Sequence, residues 1–355
     1  MNKLEQARVK INEIDQAMAE LFEKRMHAVE DVISYKQEHQ MEVLDFSREQ
    51  QVIQKNLLHI QDEKLRSYYE EFITDVMKVS RHYQHATLIE KKIGYQGTYG
   101  AFSYLAARAT FPDDELIRFK SFEDVCKAVE SKEIRYGVIP LENSHSGEVG
   151  EVSDLLYRYP LYIVDIFDLQ VNQALLAKED IPIDQITKIY SHPQAISQCS
   201  KFLKGRNIEI IEFPNTALAA EFVSKQEDPT IAAIASKEAA QLFGLKIVED
   251  NIQTNDDNTT RFAIVAKEAN TQGNHFQVIF TLANKQGTLA QAINSIASRG
   301  FNMKSIKSRS IPQNAWSYYF QVELEGFYED ASTQAMLKEL GTVCRDLKYI
   351  GSYNK

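Results

Sequence analysis

The chain has 355 residues, 44% of them hydrophobic, which allows two or three domains with ordinary cores. Its formal net charge of −10 argues against a general nucleic-acid-binding protein, because such proteins usually present a basic surface. The N-terminal stretch MNKLEQARVKINEID has no signal-peptide pattern, and no apolar run approaches the length that spans a bilayer. The sequence therefore predicts a cytoplasmic protein without a nucleic-acid or membrane partner.

The three cysteines, Cys126, Cys199 and Cys344, are scattered and odd in number. This pattern favours a reducing compartment over a disulfide framework or a zinc site. His82 and His85 stand three residues apart, but no cysteine or carboxylate clusters with them. We therefore predict no metal site.

Residues 1–88 have a helical pattern. Apolar residues recur at three- and four-residue steps from Leu4 to Ile33, and no glycine or proline interrupts the segment. The pattern predicts helices over residues 3–39, after Asp45, and over residues 63–85. Such helices cannot bury their apolar faces as a lone thin hairpin, so we expect a bundle completed by a second chain.

Long cationic side chains recur on the first predicted helix. Arg25 and Lys36 are eleven residues apart, which places them about 20° from eclipsed and about 16 Å apart along the axis, within reach of one small anion. Arg8 lies about 100° around the helix from Arg25, so one straight helix cannot direct it to the same point. Each residue taken alone is explained by a solvated charged face on an amphipathic helix.

The polar residues of this segment resemble the all-helical chorismate mutase domain over nearly all of residues 4–84. The matching positions are Arg8, Arg25, Lys36, Asp45, Arg48, Glu49, Ser80 and Gln84. The resemblance implies an intertwined homodimer in which the first-helix arginine serves the partner's site. It also implies a pericyclic rearrangement of chorismate to prephenate that needs no nucleophile or metal, so that catalysis consists of positioning and charge stabilisation.

The resemblance also assigns roles to these residues. Guanidinium groups suit carboxylates, so the expected clamps are Arg8, Arg25 and Arg48. Lys36 and Gln84 are expected to donate to the ether oxygen, and Glu49 to hold the ring hydroxyl. The remaining positions of the substrate-binding pattern are Asp45 and Ser80.

From Ile93 to about Lys267, short apolar runs alternate with helical stretches, as is typical of an α/β domain. Polar, small-residue stretches recur where its strands end: GYQGTYGAFSYLAA, IPLENSHSGEVG, SHPQAISQC and PNTALAA, with NDDNTT just before the strand RFAIVAK. Ligands bind at strand ends in open α/β sheets, so we expect these stretches to meet at one site. Each alone is equally explained by a turn or a helix cap. The first lacks the G-x-G-x-x-G spacing, which excludes a dinucleotide site.

Together these stretches closely resemble prephenate dehydratase over residues 93–266, with Thr260-Arg261-Phe262 as the most specific mark of that family. The resemblance implies two α/β lobes with the site in the cleft between them. It also implies conversion of prephenate to phenylpyruvate, with loss of carbon dioxide and water and without a cofactor. Thr260 is expected to donate a hydrogen bond to the departing hydroxyl. Glu142 and His192 are both candidates for the proton source, and the sequence does not choose between them.

The rest of the predicted dehydratase site serves the oxygens of the substrate. Arg261 is expected either to clamp a carboxylate or to brace the cleft, and Phe262 completes the triplet. Carboxylate or carbonyl oxygens are expected at Asn143, Ser144, Gln198 and the backbone near Gly147.

After the linker EANTQGN, residues 274–355 show a strand-helix-strand-strand-helix-strand pattern, which is that of a ferredoxin-like fold. The segment resembles an ACT domain, and NKQGTLAQAI matches its glycine loop at the start of a helix. Free amides there hold a ligand carboxylate. The resemblance implies phenylalanine as the effector, bound between the ACT domains of two chains at Asn284, Gly287, Thr288 and Leu289.

The second ACT motif, usually Glu-Ser-Arg-Pro, here reads Lys307-Ser308-Arg309-Ser310, so only Ser308 and Arg309 keep the regulatory pattern. This departure leaves two hypotheses open, feedback by phenylalanine and a purely structural dimerisation module.

The sequence as a whole predicts three domains: an all-α mutase over residues 1–88, a two-lobed α/β dehydratase over 92–268 and an α+β ferredoxin-like ACT domain over 274–355. The predicted function is a bifunctional enzyme of phenylalanine biosynthesis. A sensor that only binds a pathway metabolite is the rival, and its weakness is the intact set of cationic and amide residues in both sites. A periplasmic solute-binding protein fits a two-lobed cleft, but it conflicts with the missing signal and the fused helical segment.

Overall fold

The computed structural model describes residues 2–39, 46–255, 257–311 and 316–355. The chain divides into two compact units, Met1–Lys91 and Lys92–Lys355. No helix in the described ranges is both long enough and apolar enough to cross a membrane.

The first unit is helical, as its apolar periodicity predicts. It contains α1 (Lys3–Glu38), α2 (Phe46–Leu57) and α3 (Arg66–Glu90). A short 3-10 turn precedes α3, where the Asp62 side chain accepts a hydrogen bond from the Lys64 backbone N–H at 3.0 Å. The third helix therefore starts later than predicted and runs beyond the predicted end at residue 85.

The buried core of the first unit is small and lies at one end of α1. It comprises Met26, Ile33, Ile53, Ile73 and Met77, from all three helices. The N-terminal half of α1 leaves its apolar side chains in solvent, namely Leu4, Ile11, Ile14, Met18, Leu21 and Phe22. A helix with an uncovered apolar stripe lacks the packing that normally stabilises it.

The second unit contains three sheets within the described residues. The first sheet contains β1 (Lys92–Gln96), β2 (Glu115–Phe119), β3 (Tyr136–Asn143), β4 (Gly147–Glu148), β5 (Tyr162–Gln170) and β11 (Thr259–Ala266). The second contains β6 (Ala174–Ala177), β7 (Lys188–Ser191), β8 (Glu209–Glu212), β9 (Ile231–Ala235) and β10 (Lys246–Glu249). The third contains β12 (His275–Thr281), β13 (Asn302–Ser310), β14 (Tyr318–Glu325) and β15 (Asp346–Tyr353).

Helices cover these sheets. The first sheet packs against α4 (Phe102–Thr110), α5 (Phe122–Glu130) and α6 (Gly150–Arg158). The second carries α7 (Pro193–Gln198), α8 (Ser200–Leu203), α9 (Thr216–Ser224) and α10 (Lys237–Phe243). The third carries α11 (Thr288–Ala297) and α12 (Ala331–Val343).

The strand order explains why two lobes enclose one cleft. The first sheet has the order β2-β1-β3-β11-β5, with β4 beside β3, and the second has the order β10-β6-β9-β7-β8. After β5 the chain builds the second sheet and then returns as β11 between β3 and β5. Because β11 starts at this crossing between the lobes, its first residues lie at the mouth of the cleft.

The third sheet packs one face on its own helices and the other on the first lobe. Its order is β13-β14-β12-β15. Ile279, Tyr319 and Ile350 of this sheet share a buried core with Leu155 and Ile163 of the first lobe. A Cβ at Gly351 would lie 1.8 Å from the Ile163 carbonyl oxygen, so this contact admits only glycine.

Candidate functional site

A polar cleft of about 310 Å³ opens between the two lobes of the second unit. It brings together residues from all five stretches that the sequence analysis groups. Its lining residues are Gln96, Gly97, Ala101, Phe102, Asn143, Val171, Gln173, His192, Gln194, Ala195, Gln198, Pro214, Asn215, Thr216 and Thr260. The strand ends of one lobe thus face the helix starts of the other.

Asn143 and Thr260 form a hydrogen-bonded pair that lines the cleft. They stand opposite each other on β3 and β11, and the Asn143 Nδ2 donates to Thr260 Oγ1 at 2.9 Å. The same amide donates to Asn258 Oδ1 at 2.7 Å, and its Oδ1 accepts from the backbone N–H of His145 and of Ser146, each at 3.0 Å. Because Thr260 Oγ1 accepts from Asn143, its own hydrogen remains for donation to a ligand.

His192 faces the pair from the other lobe. It is the N-cap of α7, where its Nδ1 accepts from the Gln194 backbone N–H at 3.2 Å, and Pro193 fills the first helical position. This contact places the proton of a neutral imidazole on Nε2. His192 therefore presents a nitrogen-bound proton in a cleft that it lines.

The start of α9 forms another part of the second lobe's wall. Asn215, rather than Thr216, is its N-cap, with Oδ1 accepting from the Leu218 backbone N–H at 2.7 Å. Thr216 is the first helical residue and lines the cleft. The helix-cap explanation of the stretch PNTALAA thus applies to Asn215, and it does not account for Thr216.

Glu142 and Arg261 lie on the opposite side of the sheet from the cleft. Side chains alternate along a strand, so the residues next to Asn143 and Thr260 point the other way. Arg261 Nη1 donates to Glu142 Oε1 at 2.9 Å, and Arg261 also binds both carboxylate oxygens of Asp168 at 2.9 and 3.1 Å. Arg261 therefore braces three strands, and the alternative in which it clamps a substrate carboxylate does not fit this placement.

The placement also removes Glu142 as a proton source. Burial raises the pKa of its carboxyl, but the hydrogen bond and charge of Lys307 and the charge of Arg261 outweigh burial and bring the pKa below its usual value. At neutral pH, Glu142 is ionised, is paired with two cations and has no proton to give. The expectation that it contacts substrate is corrected accordingly.

Three other predicted site residues do not line the cleft. Ser144 is bound within its own loop, donating to the Asp257 carbonyl and accepting from the Thr259 N–H, each at 3.0 Å. Gly147 lies opposite Asn143 on β4, with a φ of 78°. Phe262 is buried in the core of the first lobe, 1% exposed. Each supports the strands that carry Asn143 and Thr260.

Gln198 lines the cleft as predicted. Its side chain contacts Gln173, which the sequence did not suggest as a site residue. Gln173 stands where the chain crosses from β5 to β6, and its Nε2 donates to Gln198 Oε1 at 3.3 Å. Gln173 is 1% exposed, and its Oε1 has no hydrogen-bond partner in the described part of the chain. Gln96 and Phe102 were also missed, although both belong to the first glycine-rich stretch.

The helical unit assembles part of the predicted mutase pattern. Arg25 of α1 donates to the Ser80 hydroxyl of α3, and burial lowers the pKa of Arg25 from its usual value. Gln84 lies one turn beyond Ser80 and is 9% exposed, with an Oε1 that has no partner among the residues described. A half-buried cation suits an anionic ligand, whose charge would offset the desolvation.

The other residues of the mutase pattern that the structure describes lie on α1 and α2. Glu49 is paired with Arg81 of α3, a contact that the sequence analysis did not foresee. Lys36 is half-buried in the last turn of α1, and Arg48 is exposed on α2. Asp45 lies outside the described residues.

Arg8 is separated from the other predicted mutase residues. It is exposed, and on the same helix it lies about 25 Å along the axis from Arg25, given 1.5 Å per residue. One protomer therefore does not bring Arg8 to the site formed by Arg25 and Ser80.

The C-terminal sheet carries a pocket of about 270 Å³ at the start of α11. Gly287 has a φ of 84°, which favours glycine and turns the chain into the helix. The pocket is lined by Leu282, Ala283, Asn284, Lys285, Gly287, Thr288, Leu289, Ala290, Tyr318 and Phe320. The structure thus brings together the predicted residues of the glycine loop.

Ser308 and Arg309 do not belong to this pocket. Arg309 points to the first lobe, where its Nε and Nη2 bind the two carboxylate oxygens of Asp154, each at 2.9 Å. Tyr319 donates to the same carboxylate at 2.7 Å. Ser308 is exposed on the other face of β13. The expectation that both residues contact an effector is corrected, because alternation on the strand sends one to a domain contact and the other to solvent.

Family models and relatives agree with this architecture. Residues 93–270 match the model for prephenate dehydratase, and residues 7–85 match that for chorismate mutase type II. A bifunctional chorismate mutase/prephenate dehydratase from Aquifex aeolicus (strain VF5) is 30% identical over 370 residues, which cover 100% of this chain and 99% of the relative. The chain belongs to the family of bifunctional chorismate mutase/prephenate dehydratases. It is an enzyme of phenylalanine biosynthesis with chorismate mutase and prephenate dehydratase activities.

Solved structures share the fold of the second unit. A prephenate dehydratase from Arthrobacter aurescens in complex with L-Phe has a TM-score of 0.69 at 24% identity, over 74% of this chain and 90% of that one. A protein described as a novel type of quorum-quenching acylase, GqqA, has a TM-score of 0.68 at 28% identity, over 74% of this chain and 97% of that one. A shared fold does not by itself assign an activity.

Proposed function

We propose that the cleft between the two lobes is the dehydratase site and that Thr260 acts there on the departing hydroxyl of prephenate. The observation that carries this proposal is the hydrogen bond from Asn143 to Thr260, which orients the threonine hydroxyl as a donor into the cleft. In the reaction the ring carboxylate leaves as carbon dioxide, and its bonding electrons enter the ring. Hydroxide departs from the opposite carbon and takes up a proton as water.

We propose His192 as the proton source for the leaving hydroxide. Glu142 points away from the cleft, whereas His192 lines it and carries its proton on Nε2. Proton donation by a positioned side chain contributes on the order of 10²–10⁴ in rate. Gln198 and the amides at the start of α9 are suited to the carboxylate and carbonyl oxygens of the substrate.

For the mutase reaction we propose the pocket between α1 and α3, with Arg25 as a carboxylate clamp and Lys36 and Gln84 as donors to the ether oxygen. The proximity of Arg25, Ser80 and the buried Gln84 supports it. Glu49, held by Arg81, is directed to the ring hydroxyl, and Arg48 is a second clamp. We further propose that residues 1–88 form the mutase domain, residues 92–268 the dehydratase domain and residues 274–355 the ACT domain.

We propose that the mutase unit is a homodimer. The exposed apolar stripe on the N-terminal half of α1 supports this, because Ile14 and Leu21 are 58% and 63% exposed. A second α1 laid along the stripe would bury it. The same packing would bring Arg8 of the partner subunit to the site formed by Arg25 and Ser80, which Arg8 of the same protomer does not reach.

Substituting Ile14 and Leu21 together by glutamate is expected to dissociate the dimer, because charges in place of buried apolar side chains oppose association. Light scattering after size exclusion should show the mass falling by half, and mutase turnover should fall at least about tenfold, the effect of about 1.4 kcal/mol in barrier height. The control is Gln16→Glu, an exposed position about 200° around the helix from Ile14. A double variant that keeps both the wild-type mass and the wild-type mutase turnover would exclude this interface.

We propose that phenylalanine regulates the dehydratase through the pocket at the start of α11. The βαββαβ order of the segment and the glycine loop facing the pocket support an ACT domain. The related dehydratase from Arthrobacter aurescens was solved with L-Phe, and its fold matches that of 74% of this chain.

With chorismate as the sole substrate, the full chain is expected to form phenylpyruvate, and added phenylalanine is expected to suppress it while prephenate accumulates. Asn284→Ala should raise the phenylalanine concentration for half-inhibition about tenfold, the effect of losing about 1.4 kcal/mol of hydrogen bonding. Asn294→Ala, an exposed position on α11 outside the pocket, is the matched control. If saturating phenylalanine leaves dehydratase turnover unchanged, the C-terminal segment is a structural module and not a phenylalanine sensor.

A further inference from the structure

Four charged side chains form a continuous chain behind the dehydratase cleft. Lys307 Nζ of β13 donates to Glu142 Oε2 at 2.7 Å, and Arg261 Nη1 donates to Glu142 Oε1 at 2.9 Å. Arg261 then binds Asp168 of β5 through two hydrogen bonds. This series of ion pairs begins in the C-terminal sheet and crosses β3, β11 and β5 of the first lobe. We call Lys307, Glu142, Arg261 and Asp168 the ion relay.

The ion relay lies one backbone position away from the residues of the cleft. Glu142 precedes Asn143 on β3, and Arg261 follows Thr260 on β11. The register pairs Thr260 with Asn143 and Arg261 with Glu142, so the charged pair is the next pair along the strands and faces the other side of the sheet. The ladder also shifts its register between Arg261 and Phe262, a local irregularity at this point. A change in the hydrogen bonds of the ion relay would therefore shift the backbone that orients Thr260 and Asn143.

The surroundings make the ion relay sensitive to loss of one charge. The side chains of Lys307, Arg261 and Glu142 are 26%, 23% and 34% exposed, so water screens them incompletely. Each carboxylate oxygen of Glu142 is assigned to one cation. Removing Lys307 leaves one oxygen of a half-buried carboxylate without its charged partner. Arg261 is then the remaining cation of the relay that attracts Glu142.

The C-terminal sheet does not need Lys307 to stay docked. Arg309 binds Asp154 of α6 through two hydrogen bonds, and Lys348 donates to the Leu156 carbonyl at 2.6 Å. The backbone contact of Gly351 with Ile163 closes the interface further along. These contacts, together with the shared apolar core, hold the sheet against the first lobe independently of the ion relay.

We propose that Lys307 is a positioning residue of the dehydratase, which acts from the C-terminal sheet through Glu142 and Arg261 on the orientation of Asn143 and Thr260. The inference rests on the proposed placement of the dehydratase site in the cleft. Its consequence is that the C-terminal sheet contributes to turnover directly, in the absence of any effector.

The test is steady-state kinetics of the full chain with prephenate and, separately, with chorismate, without phenylalanine. Lys307→Met keeps the length of the side chain without its charge, and is expected to lower dehydratase kcat about tenfold or more, with KM changed less than about twofold, because misplaced groups reduce turnover rather than binding. Lys307→Arg is expected to restore most of kcat. The mutase rate should stay at the wild-type value.

Lys304→Met is the matched control on the same strand, since Lys304 pairs with Glu325 at 3.2 Å within the C-terminal sheet. It should leave both activities unchanged. Wild-type kcat in Lys307→Met, or an equal loss in Lys307→Met and Lys307→Arg, would overturn the inference. If Lys307→Met does not fold, Glu142→Gln provides the same test, because it keeps the shape of the side chain and removes the charge that Lys307 binds.

The proposed site is tested by a separate variant. Thr260→Ala with undiminished dehydratase turnover would remove the placement of the site and this inference with it. Loss of turnover in Thr260→Ala beside a wild-type Lys307→Met would retain the site and refute the ion relay alone.

Discussion

Thr260→Ala is expected to lower dehydratase turnover by about 10²–10³-fold, the usual effect of losing one hydrogen-bond donor aimed at charge that develops in the transition state. The side chain lines the cleft, and its oxygen accepts from Asn143, so its hydrogen is left for the departing hydroxyl. The measurement is the rate of phenylpyruvate formation from prephenate, with mutase turnover of chorismate recorded on the same preparation. Mutase turnover should not change.

Thr259→Ala is the matched control for this variant. Thr259 is the neighbouring residue on β11, and its hydroxyl reaches the Asp257 carbonyl at 3.5 Å rather than the cleft. Dehydratase turnover of Thr259→Ala should stay within about twofold of wild type, because surface substitutions of this kind change little. Parallel loss of both activities in Thr260→Ala would indicate damage to the fold and would not support the proposed role.

Lys36→Ala is expected to lower mutase turnover by about 10²-fold or more and to leave the dehydratase unchanged. A hydrogen bond from an ammonium group to the ether oxygen grows stronger as that oxygen gains charge, and a bond to a charged group contributes about 1.5–3 kcal/mol. The residue lies in the last turn of α1, on the end of the helix that packs with the rest of the unit. Loss of chorismate absorbance reports the rate, and circular dichroism reports the helix content.

The control for Lys36 is Lys24→Ala, an exposed lysine on the same helix. It removes the same charge from α1, so it separates the local role of Lys36 from the overall charge of the helix. Near-normal mutase turnover in Lys36→Ala would show that another group serves the ether oxygen.

Much of the architecture was predictable because periodicity is a local property. The three-residue and four-residue steps of the first segment predicted its helices, and the alternation of apolar runs with helical stretches predicted an α/β region. The polar stretches at strand ends were expected at one site, and the cleft collects residues from all five. His192, Gln198 and Thr260 could be proposed from the sequence because the stretches that carry them resemble prephenate dehydratase. Each stretch alone is also explained by a turn or a helix cap.

Local pattern could not decide which face of a strand meets the cleft. Glu142 and Asn143 are adjacent, as are Thr260 and Arg261, and alternation shows only that neighbours diverge. Once β11 lies between β3 and β5, the cleft takes Asn143 and Thr260, while Glu142 and Arg261 face the C-terminal sheet. The same reasoning applies to Arg309, whose family motif suggested a regulatory pocket and whose side chain binds Asp154 instead.

The sequence by itself determined the helical and α/β segments and the βαββαβ order, because propensity, periodicity and spacing act along the chain. Tertiary structure alone decided that Gln173 is buried at the crossing of the lobes, that Arg81 holds Glu49, and that Lys307 reaches Glu142 across two sheets. These contacts join residues 32 to 165 positions apart. Their geometry depends on how sheets and helices pack, and no local pattern encodes it.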